Sequence, residues 1–241
     1  MGADKIIGVS VSAISKIGNT AIGDIASITG ETVSATSPDW ITKWTVGAGQ
    51  TITLWSQQGT VSYNYDVDWG DGNTEASITA SDKTHDYSAA GAGTYTVTIT
   101  GQFGGLNMQR GSAADRSALV EFVNWGTSVI SGIYRQFYYC NNMVYSATDA
   151  PDLTNLTATN GTLIRDLFSG CTTITDVDLS GWSNTGNFTG IAYRMFYNAT
   201  GLLSVNLTGW DTSNITSTQD MFYNTGSSGI GCVFTLPNLD F

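Results

Sequence analysis

Charge is scarce in this chain. Of its 241 residues only 12% are Asp, Glu, Lys or Arg, and 20 carboxylates against 9 Lys and Arg give a formal net charge of −11. Such a surface repels phosphate backbones and anionic headgroups, so nucleic acid is not expected as a partner. Long apolar runs are missing too. No window approaches the roughly 18 residues of a spanning helix, so membrane insertion is not expected. The opening MGADKIIGVSVSAISKI has no basic stretch followed by an apolar core, and an export leader is not expected. Histidine occurs once, at His85, and cysteine only at Cys140, Cys171 and Cys232, without a CxxC pair. That is too little for a disulfide framework or a Cys/His zinc site. Signatures such as GxSxG and HExxH are absent. No catalytic residue, cofactor site or metal site is therefore assigned, and the chain is not expected to be an enzyme.

What is present is repetition. VDLSGWSNTGNFTGIAYRMFYNATGLL, from Val177, superposes on VNLTGWDTSNITSTQDMFYNTG, from Val205. Val177/Val205, Leu179/Leu207, Gly181/Gly209 and Trp182/Trp210 coincide at an offset of 28, and Phe196/Phe222 at 26. Extended backward, PDLTNL puts Leu153 and Leu156 in the Leu and Trp places, and VEFVNW puts Val120, Phe122 and Trp125 there. A second half recurs as QFYYCNN, LFSGCTT, MFYNATG and MFYNTGS around Phe137, Phe168, Phe196 and Phe222. One short β-type segment and one Phe-anchored segment per unit predict a solenoid, in which each unit buries its apolar face against its neighbours.

These units resemble the BspA-like leucine-rich repeats of bacterial and phage surface proteins, also called mycoplasma lipoprotein repeats. The match is carried by LSGWSNTGNFT, LTGWDTSNITSTQDMF and LFSGCTTITDVDL and covers about residues 118 to 226. The chain departs from that pattern at Leu156, where Trp is expected, and at Ala199 and Thr225, where Cys is expected.

Two other patterns precede the repeats. Ile6, Ile17 and Ile28 recur every 11 residues, as do Val11, Ile22 and Val33, with Ile14 and Ile25 as a third column. β-Branched alternation broken by Gly18, Gly23 and Gly30 indicates short strands, too few to cover their own apolar columns. The segment is expected to be an attachment or oligomerisation arm, with a β-cap on the next domain as the alternative. It bears a weaker resemblance to the N-terminal segments of phage tail and appendage proteins, which implies docking on other virion proteins or a homo-oligomer, a trimer foremost.

After Ser37-Pro38-Asp39, the runs TITLW, YNYDVDW and TYTVTIT alternate strictly between turn residues, Asp71-Gly72 among them, the signature of an all-β sandwich. VDWGDGN, THDY and GTYTVTI resemble the polycystic-kidney-disease domain, an immunoglobulin-like sandwich that serves as spacer or adhesion module. Asp115-Arg116, Leu119 and Trp125-Gly126 resemble the junction at which such a sandwich runs into BspA-like repeats, which implies one rigid body.

Asp66, Asp68 and Asp71 are the densest carboxylates, but calcium-loop spacing fails. Counting from Asp66 puts Gly70 fifth, and counting from Asn64 puts Trp69 where Gly is required. They read as a turn residue and a solvent face, with an incidental cation as the alternative. His85 is expected to pack or hydrogen-bond near the same hairpin. Cys140 and Cys171 share a repeat position and read as buried thiols in preference to a disulfide or metal pair. The recurring Trp and Phe read as core. Tyr138, Tyr139, Tyr145, Tyr193, Tyr197 and Tyr223 are less regular, and all but Tyr145 form the candidate surface-binding set, an aromatic face suited to glycan or protein adhesion.

The expected fold is thus all-β dominated: a short repetitive β-arm at 1–38, an immunoglobulin-like β-sandwich at 39–105 and a leucine-rich-repeat-type solenoid at 106–241. The expected function is that of a non-enzymatic structural and adhesive protein of a bacteriophage virion, a tail or fibre appendage that contacts host glycan or a host surface protein. A capsid decoration protein and a bacterial surface adhesin are the alternatives. Outward-facing modules without an export leader point to the virion as the expected location, with a chain trimmed of its leader as the alternative.

Overall fold

The structure, a computed structural model, describes residues 39–57, 62–127, 130, 132–153, 164–182, 190–212 and 215–226, with the strand residues 5–6, 9–10, 27–28, 31–32 and 233–235. It is all-β dominated and divides into two compact units, Met1–Ser37 and Pro38–Phe241.

In the first unit β1 (Lys5–Ile6) pairs antiparallel with β2 (Val9–Ser10), and β3 (Ser27–Ile28) with β4 (Glu31–Thr32). Lys5 and Ser27 open hairpins that stand 22 residues apart. Of the arm residues, Ile6 and Ile28 stand in these strands. Val11, Ile14, Ile17, Ile22, Ile25 and Val33 lie outside the described residues.

The second unit opens with β5 (Trp40–Val46), β6 (Thr51–Leu54), β7 (Asn64–Asp68), β8 (Thr74–Ile78), β9 (Lys83–Asp86) and β10 (Gly93–Gln102). Alternation is strict in β5, where Trp40, Thr42, Trp44 and Val46 are buried while the residues between them are not. All seven residues of β5 pair antiparallel with β10. β6 and β9 form a separate two-stranded sheet. Gly70 is required where the β7–β8 hairpin crosses β10: its φ is +76°, and a Cβ there would lie 2.3 Å from the Thr96 carbonyl oxygen.

A short helix, α1 (Ala113–Ala118), leads into β11 (Leu119–Asn124) and then β12 (Val144–Tyr145). Ser112 and Asp115 form a capping box at the start of α1. The same Asp115 carboxylate accepts from Thr53 N (3.3 Å) and Trp55 Nε1 (3.1 Å), which ties the helix to β6. β11 is hydrogen-bonded to β5, so one six-stranded sheet runs β12-β11-β5-β10-β7-β8 across the position near 105 where the sequence changes pattern. Lys43 and Glu121 pair across that seam at 2.7 Å.

Beyond it lie β13 (Asp176–Asp178), β14 (Gly190–Ile191), β15 (Ser204–Asn206), β16 (Ile215–Ser217) and β17 (Val233–Thr235). β13, β15 and β17 stack in parallel with Val177, Val205 and Phe234 in register, and β14 stacks on β16. The 28-residue offset of the sequence is therefore one step of the stack. Phe137, Phe168, Phe196 and Phe222 form a column with successive ring centroids 5.4, 5.5 and 5.4 Å apart. A second column runs from Trp40 through Trp125 and Trp182 to Trp210 at 5.2, 5.2 and 6.0 Å. These rings join the sheet and the stacked units in one continuous core.

One rung differs from the sequence reading. Among the described residues the strand that precedes β13 in sequence is β12, with Tyr145 opposite Phe122, and Leu153 follows it. Leu153 is buried outside any strand, and Leu156 lies outside the described residues. A tyrosine fills the place that a leucine pattern seeks. Its ring meets Phe122 and Phe168 at 5.8 and 5.3 Å, and its hydroxyl accepts from Trp125 Nε1 at 2.9 Å.

Candidate functional site: the outer side of the Phe-anchored turns

Each Phe-anchored segment contains two left-handed residues four apart. They are Arg135 and Tyr139, Asp166 and Gly170, Arg194 and Asn198, and Asp220 and Asn224, all with φ between 52° and 74°. This backbone sets alternate amides toward the following unit. Arg135, Phe137 and Tyr139 donate to the carbonyls of Arg165, Leu167 and Ser169 at 2.9, 3.1 and 2.7 Å. Asp166, Phe168 and Gly170 donate to Tyr193, Met195 and Tyr197 at 2.9, 2.8 and 2.7 Å, and Arg194, Phe196 and Asn198 to Gln219, Met221 and Tyr223 at 3.1, 2.9 and 2.9 Å. With Phe held inside, the residues flanking it become columns that advance one unit at a time. A left-handed φ costs an L residue about 1–2 kcal/mol. Gly avoids that cost and Asn and Asp tolerate it, but Arg135, Arg194 and Tyr139 hold it with long side chains.

Two places before each Phe stands an alternating charge column of Arg135, Asp166, Arg194 and Asp220. Arg135 Nε and Arg165 Nε both donate to Asp166 Oδ2 at 3.1 Å, and Arg194 Nε donates to Asp220 Oδ2 at 3.2 Å. The tyrosines stand beside this column. Tyr193 has the guanidinium of Arg165 at 5.5 Å and that of Arg194 at 4.5 Å from its ring centre, and Arg194 also lies 4.8 Å from Tyr197. Tyr197 stacks on Tyr223 at 5.2 Å, and Tyr138 packs against Tyr139 at 4.7 Å. Asn224 Nδ2 donates to Asn198 Oδ1 at 2.9 Å.

All five nominated tyrosines thus belong to one column of turns. Tyr223 and Tyr139 are 58% and 40% exposed, whereas Tyr138, Tyr193 and Tyr197 are half-buried. Burial, then the neighbouring Tyr139 and Asp166, pushes the Tyr138 phenol above its ordinary value. The arginines were missed on sequence grounds, although Arg, Asp, Arg and Asp standing two places before four successive Phe was the available signal.

The other clusters are held by contacts within the fold. His85 stacks on Trp69 at 4.6 Å and bonds Asp71 Oδ2 through Nε2 at 2.9 Å, while Tyr87 donates its hydroxyl to the Trp69 carbonyl at 2.9 Å. Burial alone would raise the Asp71 carboxyl, but the hydrogen bonds from His85 and Asn73 hold it below the usual carboxylate range. Asp66 and Asp68, on the solvent face of β7, accept from the backbone amides of Ser77 and Gly70 at 2.7 and 2.8 Å. Among the described residues no group of three or more His, Cys, Asp or Glu is placed to hold a metal ion. Cys140 and Cys171 are free and buried, the Cys171 thiol donating to the Phe137 carbonyl at 2.9 Å. Burial pushes both thiols up. Cys232 lies outside the described residues.

Among known protein families, one described as "Mycoplasma protein of unknown function, DUF285" matches residues 107–229, the segment of the stacked turns. No curated protein and no solved structure matches the chain.

Proposed function

Because the chain belongs to the DUF285 family through its stacked units, we propose that it is a non-enzymatic adhesive surface protein that makes contact through the outer side of its Phe-anchored turns. In this reading 39–105 is an immunoglobulin-like sandwich that spaces, and 106–241 a leucine-rich-repeat-type solenoid that presents. The observation that carries it is the exposure of Tyr139 and Tyr223, at 40% and 58%, on a backbone held by three hydrogen bonds from each turn to the next. Large aromatics fixed on a rigid frame bind with little loss of side-chain freedom.

The finer placement is on a bacteriophage particle, with 1–38 as the arm that docks on other virion proteins or trimerises. Its support is that Met1–Ser37 forms a compact unit of its own. A bacterial surface adhesin would use the same face, and immunogold labelling of purified particles and of cells separates the two.

The contact face is tested by binding of the full chain to a glycan array and to intact bacterial cells. The Tyr139→Ser/Tyr223→Ser variant is expected to stay folded, with a cooperative thermal transition, and to lose about ten-fold or more in apparent affinity. Undiminished binding by this variant would exclude the face.

A further inference from the structure

We propose that Arg165, Tyr193 and Arg194 form a two-pronged clamp for an acidic polysaccharide, with the carboxylates of a uronate-bearing glycan as the groups it holds. This rests on the reading of the turns as a contact surface and names the ligand chemistry of that surface.

Both guanidinium groups lie over one ring, 5.5 and 4.5 Å from its centre, so they are no further apart than those two distances laid end to end. Each is fixed through Nε, Arg165 to Asp166 and Arg194 to Asp220. Among the described residues neither has a partner for its Nη groups, and both side chains are 39% exposed. A planar fork held by a ring and a carboxylate, with N–H groups left over, suits bidentate recognition of a carboxylate. It also has less freedom to lose on binding.

The charge balance points the same way. Arg135 and Arg165 share Asp166, and Arg194 has Asp220, so three guanidiniums meet two carboxylates. Among the described residues this column thus has one guanidinium more than its carboxylates, in a chain whose net charge is −11. Arg194 keeps a left-handed φ of 52°, where Asn or Gly would be less strained. A dense polyanion such as nucleic acid would meet the repulsive field of the remaining surface. A glycan with a carboxylate on every second sugar brings fewer charges, and its C–H faces suit the exposed rings of Tyr139 and Tyr223.

The test is calorimetric titration of the full chain, at low salt, with hyaluronan octasaccharide as a uronate probe and with its carboxyl methyl ester. The acid form is expected to bind, and the ester about ten-fold or more weakly. Arg165→Gln and Arg194→Gln are each expected to weaken binding of the acid by a similar factor, and Arg194→Lys to fail as a rescue because the fork is gone. Absence of binding, equal binding of acid and ester, or full affinity in both Gln variants would overturn the clamp. A check without substitutions is phenylglyoxal labelling of the native chain. The octasaccharide is expected to protect Arg165 and Arg194 but not Arg116, whose Nη1 donates to the Gly111 carbonyl at 2.7 Å; lack of protection would also overturn the clamp. If acid and ester bind alike and the Tyr139→Ser/Tyr223→Ser variant binds neither, the contact face stands and the clamp falls.

Discussion

The ring of Tyr139 rests on Gly170, so closely that a Cβ at Gly170 would stand 2.7 Å from Tyr139 Cγ. The two residues occupy the same place in consecutive turns, both left-handed, with φ of 55° and 74°. Gly170→Ala therefore meets backbone strain as well as the ring. The ring can swing outward, so the expected loss is about 1–2 kcal/mol and not a failure to fold. Urea denaturation measures the loss, and a neutral substitution would mean that the ring does not lie there.

The Phe column carries a graded prediction. Phe168 and Phe196 are fully buried between neighbouring rings, and replacing either with Ala is expected to cost about 3–5 kcal/mol. Phe222 is only partly buried, so Phe222→Ala should cost about half as much. Chemical denaturation of the three variants gives the order, and equal losses would contradict the burial gradient.

Acid should weaken the fold through three carboxylates. Asp71 is held below the ordinary range because the hydrogen bonds from His85 and Asn73 outweigh its burial. Glu121 is held low by Lys43, and Asp178 by the side chain and backbone of Ser180. A carboxyl whose folded value is depressed binds fewer protons folded than unfolded in the window between the two values. Its stabilisation is therefore complete above the unfolded value, near pH 4, and is lost as pH falls through the folded one. Melting temperature should be level from about pH 7 to about pH 5 and drop toward about pH 3, with a shallower drop in Asp71→Asn. A flat profile to pH 3 would contradict it.

In a Cys232→Ser background, Cys140 and Cys171 should react with a thiol reagent at about pH 8 only as fast as the stack opens, because burial both hides the sulfurs and suppresses their thiolates. Denaturant should bring reaction within the mixing time. Rapid labelling of the native chain would place the two thiols at the surface.

How much could be read beforehand differs from residue to residue. Val177 and Val205, Trp182 and Trp210, and the four Phe announce the stack because a buried position recurs at each step and the same residue fills it. Tyr145 was hidden, since it does the work of a leucine with a larger ring and a buried hydroxyl that the Trp125 indole satisfies. The pairing of β11 with β5 has no local signature, because partner choice between strands so distant in sequence is decided by the common core and not by either strand. The tyrosines of the candidate site could be named but not ranked. Exposure separates Tyr139 and Tyr223 from Tyr193 and Tyr197, and it depends on Arg165, Arg194 and Gly170 in adjacent units.

The hydrogen bonds between successive turns also bear on how the chain answers to force. They run from unit to unit along the stack, so a pull on its C-terminal end loads the last step first, and bonds deeper in the stack share the load only after that step has parted. A steady pull would then be met by shedding one unit at a time. Each unit releases about 28 residues, which at about 3.4 Å per extended residue is a long increment of slack. The protein would lengthen in steps of similar size under tension before its antiparallel sheet is put under strain.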